Sequence, residues 1–79
     1  MLQVYRVIAP FQAQQLDTEK VHLEDFARGD LLIALREEAS SIVFCRRHDP
    51  LDLSECDRFI ASGLEFETCT EPYASSRRP

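Results

Sequence analysis

Tryptophan is absent from this 79-residue chain, and glycine, methionine and tyrosine are sparse at two, one and two residues. No groove in it can therefore be built around an indole. Cysteine occurs three times, at Cys45, Cys56 and Cys69, an odd and widely spaced set that makes a poor disulfide framework. Small secreted domains of this size carry paired cysteines, so three reduced thiols near a core are the expectation. No apolar run approaches the roughly 20 residues that cross a bilayer, and no positively charged leader precedes an apolar stretch. The expectation is a soluble cytoplasmic protein with no membrane partner. Basic charge is also in deficit, with 9 Lys and Arg against 14 Asp and Glu, a formal net charge of −5. Duplex nucleic acid is held mainly by neutralising phosphates, so nucleic acid is disfavoured as a partner. Arg36, Arg46, Arg47 and Arg58 could still gather into a local basic patch; scattered, solvated arginines are the simpler expectation.

What is present is enough apolar residue, 44% of the chain, for one small folded domain near the lower size limit for a single core. Met1 to Ala9 alternates as a strand, with Val4 on one face and Tyr5 and Val7 on the other, and Pro10 ends it. Gln12 to Lys20 is polar and reads as a loop excursion. Val21 to Asp25 reads as a short strand or extended arm. Gly29-Asp30 is turn chemistry opening onto Leu31-Leu32-Ile33-Ala34-Leu35, the strongest strand signal in the chain. A helical reading of Leu31 to Ala39 stays open, because Leu, Ala, Arg and Glu are good helix formers. Ser40 to Arg47 is the next strand, and Arg47-His48-Asp49-Pro50 a turn before a short edge strand at Leu51 to Leu53.

Ser54 then reads as a helix N-cap with Asp57 three residues on, and Cys56, Phe59 and Ile60 share a helical stripe. Gly63 reads as the residue closing that helix, and Leu64 to Cys69 as the final strand. Residues 1–69 form the expected single domain, and residues 70–79 an expected disordered tail. The expected core is Val4, Val7, Phe26, Leu32, Ile33, Ile42, Phe44, Phe59, Leu64 and Phe66, with Cys56 at its border.

The order of elements, with Phe26-Ala-Arg-Gly29-Asp30-Leu-Leu32 at a diverging-type turn, resembles the SH3-like small β-barrel, of a bacterial type. Tyr5-Arg-Val-Ile-Ala-Pro-Phe11 stands where SH3 domains carry their first strand and aromatic motif. The resemblance implies a mostly β fold: a five-stranded barrel or roll with one short helix before the last strand. It does not bring the family's polyproline groove, which needs a tryptophan and further aromatics. Leu53-Ser-Glu-Cys56 stands where the late Pro-x-x-Tyr element would be.

Cys45-x-x-His48 with Cys56 and Cys69 supplies four side chains of zinc-ligand type, but zinc ligands arrive as close pairs on turns and only the first pair has that spacing. No metal or other cofactor is expected. A catalytic Cys45 with His48 or His22 lacks any recognisable orienting residue, so no enzymatic activity is expected. Arg28-Gly29-Asp30 spells an adhesion tripeptide, read here as coincidence because the glycine is occupied with a turn. The remaining candidates are acidic. Asp17, Glu19, Glu24 and Asp25 in the first excursion, Glu37-Glu38 after the central strand, and the Glu65/Glu67 pair could steer a basic partner. The functional expectation is a small accessory protein that binds a protein partner or itself through a strand edge or acidic loop face. Phe11, Asp17, Glu19, Glu24, Asp25, Glu37 and Glu38 are the candidate contact residues.

Overall fold

The computed structural model describes residues 3–47 and 56–73. Seven strands and one helix follow in the order β1 Gln3–Val7, β2 Phe11–Gln15, β3 Leu23–Phe26, β4 Leu31–Glu38, β5 Ser41–Arg46, β6 Phe59–Ser62, α1 Gly63–Cys69 and β7 Thr70–Pro72. All pairings are antiparallel, in the spatial order β3-β2-β6-β5-β4-β1-β7. The sheet curls into a half-barrel, mostly β with one short helix before the last strand. Among the described residues no helix is long and apolar enough to cross a membrane.

Phenylalanine holds the curl. All five of the chain's Phe residues, Phe11, Phe26, Phe44, Phe59 and Phe66, are buried inside it. Phe26 stacks on Phe11 at 5.3 Å and meets Phe44 and Phe59 edge-on at 5.3 and 5.1 Å. Phe66 lies 5.1 Å from Phe44 and takes Tyr5 edge-on at 5.1 Å. Offset and edge-to-face aromatic pairs add roughly 0.5–1.5 kcal/mol each beyond the burial of their area. Val7, Leu32, Ile42, Ala13 and Ala61 fill the gaps between rings. Ile33, Val43 and Cys45 are buried as well, but outside this cluster, and alternate along their strands with its members.

The mostly β class and the short helix before the last strand stand as expected. The number of strands is seven where five were expected, and three local readings are corrected. Of the stretch Gln12 to Lys20 read as loop, Gln12 to Gln15 belong to β2. Phe11 and Ala13 point in while Gln12 and Gln14 point out, a period-2 pattern hidden by its polar half. Helix and strand are exchanged near the end. Phe59 and Ala61 are the buried alternate residues of β6, which lies between β2 and β5 and is bonded to both. The helical stripe of Cys56, Phe59 and Ile60 loses to that two-sided pairing. Gly63 opens a helix instead of closing one, and its N-cap is Ser62, whose hydroxyl accepts from the Glu65 N–H at 3.0 Å. Ser62-x-x-Glu65 is itself a capping-box signature. On that helix Phe66 is buried while Leu64, expected in the core, is 76% exposed.

The third correction concerns the tail. Thr70–Pro72 is β7, paired to β1 through Tyr5, Arg6 and Val7. Thr70 is buried with its hydroxyl donating to the Phe66 carbonyl at 2.7 Å. Val4 is half-buried, while Phe11, Ala13, Val43, Cys45 and Ala61 join the buried set. The turn at His48 to Pro50, the edge strand at Leu51 to Leu53, the cap at Ser54 and residues 74–79 lie outside the described residues.

Candidate binding groove

A β-bulge decides what faces the open end of the half-barrel. β4 pairs with β5 through Leu32↔Arg46, Ile33↔Cys45 and Ala34↔Phe44, and then the register shifts to Arg36↔Val43, Glu37↔Ile42 and Glu38↔Ser41. Leu35 is the inserted residue. Residues directly opposite in an antiparallel ladder project to the same face. Leu35 therefore turns Glu37, in place of Arg36, to the side on which Ile42 and Phe44 build the core. Re-aiming a side chain is what a bulge does. The two-residue link Ala39–Ser40, with Ala39 at a φ of 53°, then returns the chain into β5.

Helix α1 closes the other side of this opening. The Gly63 N–H donates to the Ser40 carbonyl at 2.7 Å, docking the helix start on the hairpin tip. A Cβ on Gly63 would stand 3.2 Å from that same carbonyl oxygen, so the close approach uses the missing side chain. Between hairpin and helix lies a groove of about 410 Å³. Tyr5, Ile42 and Phe66 form its floor, and the exposed carboxylates of Glu37 and Glu67 stand on its two walls. Among the described residues neither carboxylate makes an ion pair. An aromatic floor flanked by two uncompensated carboxylates suits a cationic side chain with an apolar stem.

The other acidic candidates are drawn into the protein's own structure. Arg46, at the end of β5, reaches across to edge strand β3 and the turn after it. Its guanidinium donates to Asp30 Oδ2 at 2.8 Å, to Glu24 Oε2 at 3.1 Å and to the Asp25 carbonyl at 3.0 Å. It lies 4.4 Å from the Phe26 ring centroid. Glu24 also hydrogen-bonds His22 at 3.2 Å, and the His22 contact first, then Arg46, holds its carboxyl below the ordinary range. For Asp30, burial pushes the carboxyl up, but the Ala27 N–H and Arg46 together outweigh it and the net shift is downward. Asp25 accepts from Gln12 Nε2 at 2.7 Å, and Asp17 is paired with Arg58. Glu38 accepts from Arg36 Nε at 2.5 Å. Glu19 is exposed.

Of the seven candidates only Glu37 lines the groove. Phe11 is 7% exposed and stacked in the core, and its remaining surface lines a separate pocket with Pro10, Gln12 and Asp25. Glu37 is joined on the groove's lining by Glu67 from the Glu65/Glu67 pair. Tyr5 was missed as a site residue, since a strand tyrosine shows in sequence only which face it shares. Arg36, Arg46 and Arg58 are each committed to a carboxylate, and Arg47 is exposed. Arg28-Gly29-Asp30 is a turn: Gly29 has a φ of +98°, and Asp30 Oδ2 accepts from the Ala27 N–H at 2.9 Å as well as from Arg46.

The thiols fall into two groups. Cys69 packs against the phenylalanine core. Cys45 is fully buried outside that cluster, with Cys56 as its titratable neighbour. Burial pushes the Cys45 thiol up to about 12, and the Cys56 contact adds to it. His48 lies outside the described residues, among which no group of three or more metal-ligating side chains converges. No family model matches the chain, and no curated protein or solved structure matches it significantly.

Proposed function

We propose that this protein is a small non-enzymatic interaction module that binds a basic segment of a partner protein in the groove between the β4–β5 hairpin and α1. The observation that carries this reading is the pair of uncompensated carboxylates, Glu37 and Glu67, on either side of a floor containing Tyr5 and Phe66. An arginine or lysine of the partner lays its stem on the rings and its charge between the carboxylates. SH3-like kinship belongs to the same reading, supported by the Gly29 turn into β4 and by the helix before the last strand. A cytoplasmic location fits three cysteines with no disulfide among them.

Two rival readings have less behind them. Nucleic-acid binding needs uncommitted arginines, and Arg36, Arg46 and Arg58 are each bonded to a carboxylate. Self-association along the β3 edge meets charge at Glu24 and Asp25 and the Arg46 guanidinium on the Asp25 carbonyl.

The test is titration with a fluorescent hexa-arginine peptide at low salt, with hexa-glutamate as the negative probe. Each carboxylate–cation contact at such an exposed site contributes roughly 0.5–1 kcal/mol. The double substitution Glu37→Gln and Glu67→Gln should therefore weaken binding about 5- to 30-fold. Neutralising Glu19 and Glu65 changes net charge equally and should cost much less. Amide shifts should centre on Tyr5, Ile42 and Phe66. Equal losses in the two double variants would mean diffuse attraction to an acidic surface, and the groove reading would fall.

A further inference from the structure

We propose that the chain's own Arg77-Arg78 fills the groove when no partner is bound, as a tethered competitor that a basic partner must displace. This rests on the groove reading above and adds the site's internal occupant. Arg77 and Arg78 belong to residues 74–79, Ala-Ser-Ser-Arg-Arg-Pro, which lie outside the described residues. Their charge and their point of attachment carry the argument.

Pro72, the last residue of β7, itself lines the groove, together with Thr70, Tyr5 and Phe66. β7 runs antiparallel to β1, with Thr70 opposite Val7 and Pro72 opposite Tyr5. The Tyr73 N–H extends that ladder by donating to the Val4 carbonyl at 2.9 Å. At Tyr73 the chain is therefore heading along β1 towards Gln3, whose partner on β4 is Ala34. Glu37 stands further along β4 in the same direction. From Tyr73 to Arg77 is four residues, at most about 14 Å of extended chain. The segment starts on the rim of a groove of about 410 Å³, so that length is enough to reach either wall.

The charges match as well. Glu37 and Glu67 are exposed on the two walls and have no ion pair among the described residues. Two adjacent arginines supply two cations, each with a planar guanidinium that stacks on an aromatic ring. A tether this short holds its end at an effective concentration in the millimolar range, so even a weak contact fills the groove much of the time. The apparent affinity of an outside peptide then falls in proportion to the groove left free. The partner class is narrowed too, to segments that carry neighbouring arginines and so compete on equal chemistry.

The experiment compares the full chain with two double variants. One is Arg77→Gln with Arg78→Gln. The other is Arg28→Gln with Arg47→Gln, an equal charge change at two exposed arginines that make no ion pair among the described residues. In hexa-arginine titrations the tail variant should bind about 3- to 10-fold more tightly than the unchanged chain, and the control variant should gain much less. Without peptide, the amide resonances of Tyr5, Ile42 and Phe66 should move on tail substitution, at every protein concentration alike. Adding Glu37→Gln and Glu67→Gln should cancel that difference. Unchanged affinity, or groove resonances that stay put, would overturn the tail while hexa-arginine binding that still depends on Glu37 and Glu67 leaves the groove reading standing. Loss of that dependence would overturn both. Equal gains in the two variants would mean general charge repulsion, and shifts that grow with protein concentration would place a second copy's tail in the groove. Either result would overturn the tethered competitor.

Discussion

Replacing Arg46 by methionine should open the half-barrel at its β3 edge, and the size of the effect can be built from the contacts. Methionine keeps an unbranched apolar stem over Phe26 and removes the guanidinium. What is lost is two ion pairs, to Asp30 and Glu24, one hydrogen bond to the Asp25 carbonyl, and the cation–π contact with Phe26. The Arg46, Glu24 and Asp30 side chains are 36%, 34% and 30% exposed, so solvent screens the pairs. Exposed pairs are worth roughly 0.2–1 kcal/mol each. The carbonyl bond adds about 1 kcal/mol and the cation–π contact roughly 0.5–1 kcal/mol. Allowing for overlap among bonds made by one guanidinium, the substitution should cost about 2 kcal/mol.

Urea unfolding followed by circular dichroism measures this directly. With a slope near the low end for small proteins, about 1 kcal/mol per molar urea, the midpoint should fall by roughly 2 M. Arg46→Lys should recover only part of the loss, because an ammonium cannot fork to Asp30, Glu24 and the Asp25 carbonyl together. The pH dependence supplies a second reading. Glu24 and Asp30 have folded-state carboxyls below their ordinary values of 4.5 and 3.8. A lowered carboxyl contributes stability that is present above its ordinary value and is lost as pH falls through the folded value. The gap between Met and Arg proteins should therefore be widest above about pH 5 and narrow as pH falls through the lowered folded values, until both carboxylates are protonated and only the carbonyl and ring contacts differ. A midpoint shift equivalent to less than about 0.5 kcal/mol, or full rescue by lysine, would refute the latch.

Three further substitutions test the Gly29 turn and the corrected helix. Gly29→Ala meets no atom within 4 Å of the new Cβ, so its cost comes from the backbone alone at a φ of +98°. Loss of about 1 kcal/mol is expected in the same urea assay, and a D-alanine placed there by chemical ligation should restore it. Leu64→Lys should leave stability within about 0.5 kcal/mol, since Leu64 stands out on α1, while Phe66→Ala should cost about 3–5 kcal/mol. Equal losses at the two positions would favour a strand over residues 64–69 and overturn the helix.

How far the sequence disclosed this molecule depends on which forces act locally. β4 and β5 were legible because their apolar runs are long and one turn joins them. The Gly29 turn was legible because positive φ there leaves glycine as the natural residue. The exchange of helix and strand around Gly63 was not, although Ser62-x-x-Glu65 was in view. Phe59 and Ile60 lean towards strand, but in a four-residue run that lean is weak beside a helix-like cap and stripe, and the ladders to β2 and β5 decide for them. β7 is three residues long and ends in proline, so its pairing with β1 leaves almost no local trace.

The groove shows the same limit more sharply, and it also shows where the candidate function resides. Strict alternation from Leu32 through Ala34 would place Arg36 beside Ile42 and set a cation over the floor. One inserted residue, Leu35, exchanges it for Glu37 and sends Arg36 outward to Glu38. The sign of the charge at the mouth is therefore set by register and not by composition, since Arg36 and Glu37 are adjacent in sequence. A net acidic chain has carboxylates on every side, but the internal partners Arg46, Arg58, Arg36 and Gln12 occupy those at Glu24, Asp30, Asp17, Glu38 and Asp25. Glu37 and Glu67 are brought together by the bulge and by the seating of Gly63 on Ser40, two features of backbone geometry. Exchanging the two neighbours, Arg36→Glu together with Glu37→Arg, should set a cation at the mouth and abolish hexa-arginine binding even though the net charge is unchanged. If the exchanged variant folds, as judged by circular dichroism, and still binds the peptide as tightly, the groove is not the site.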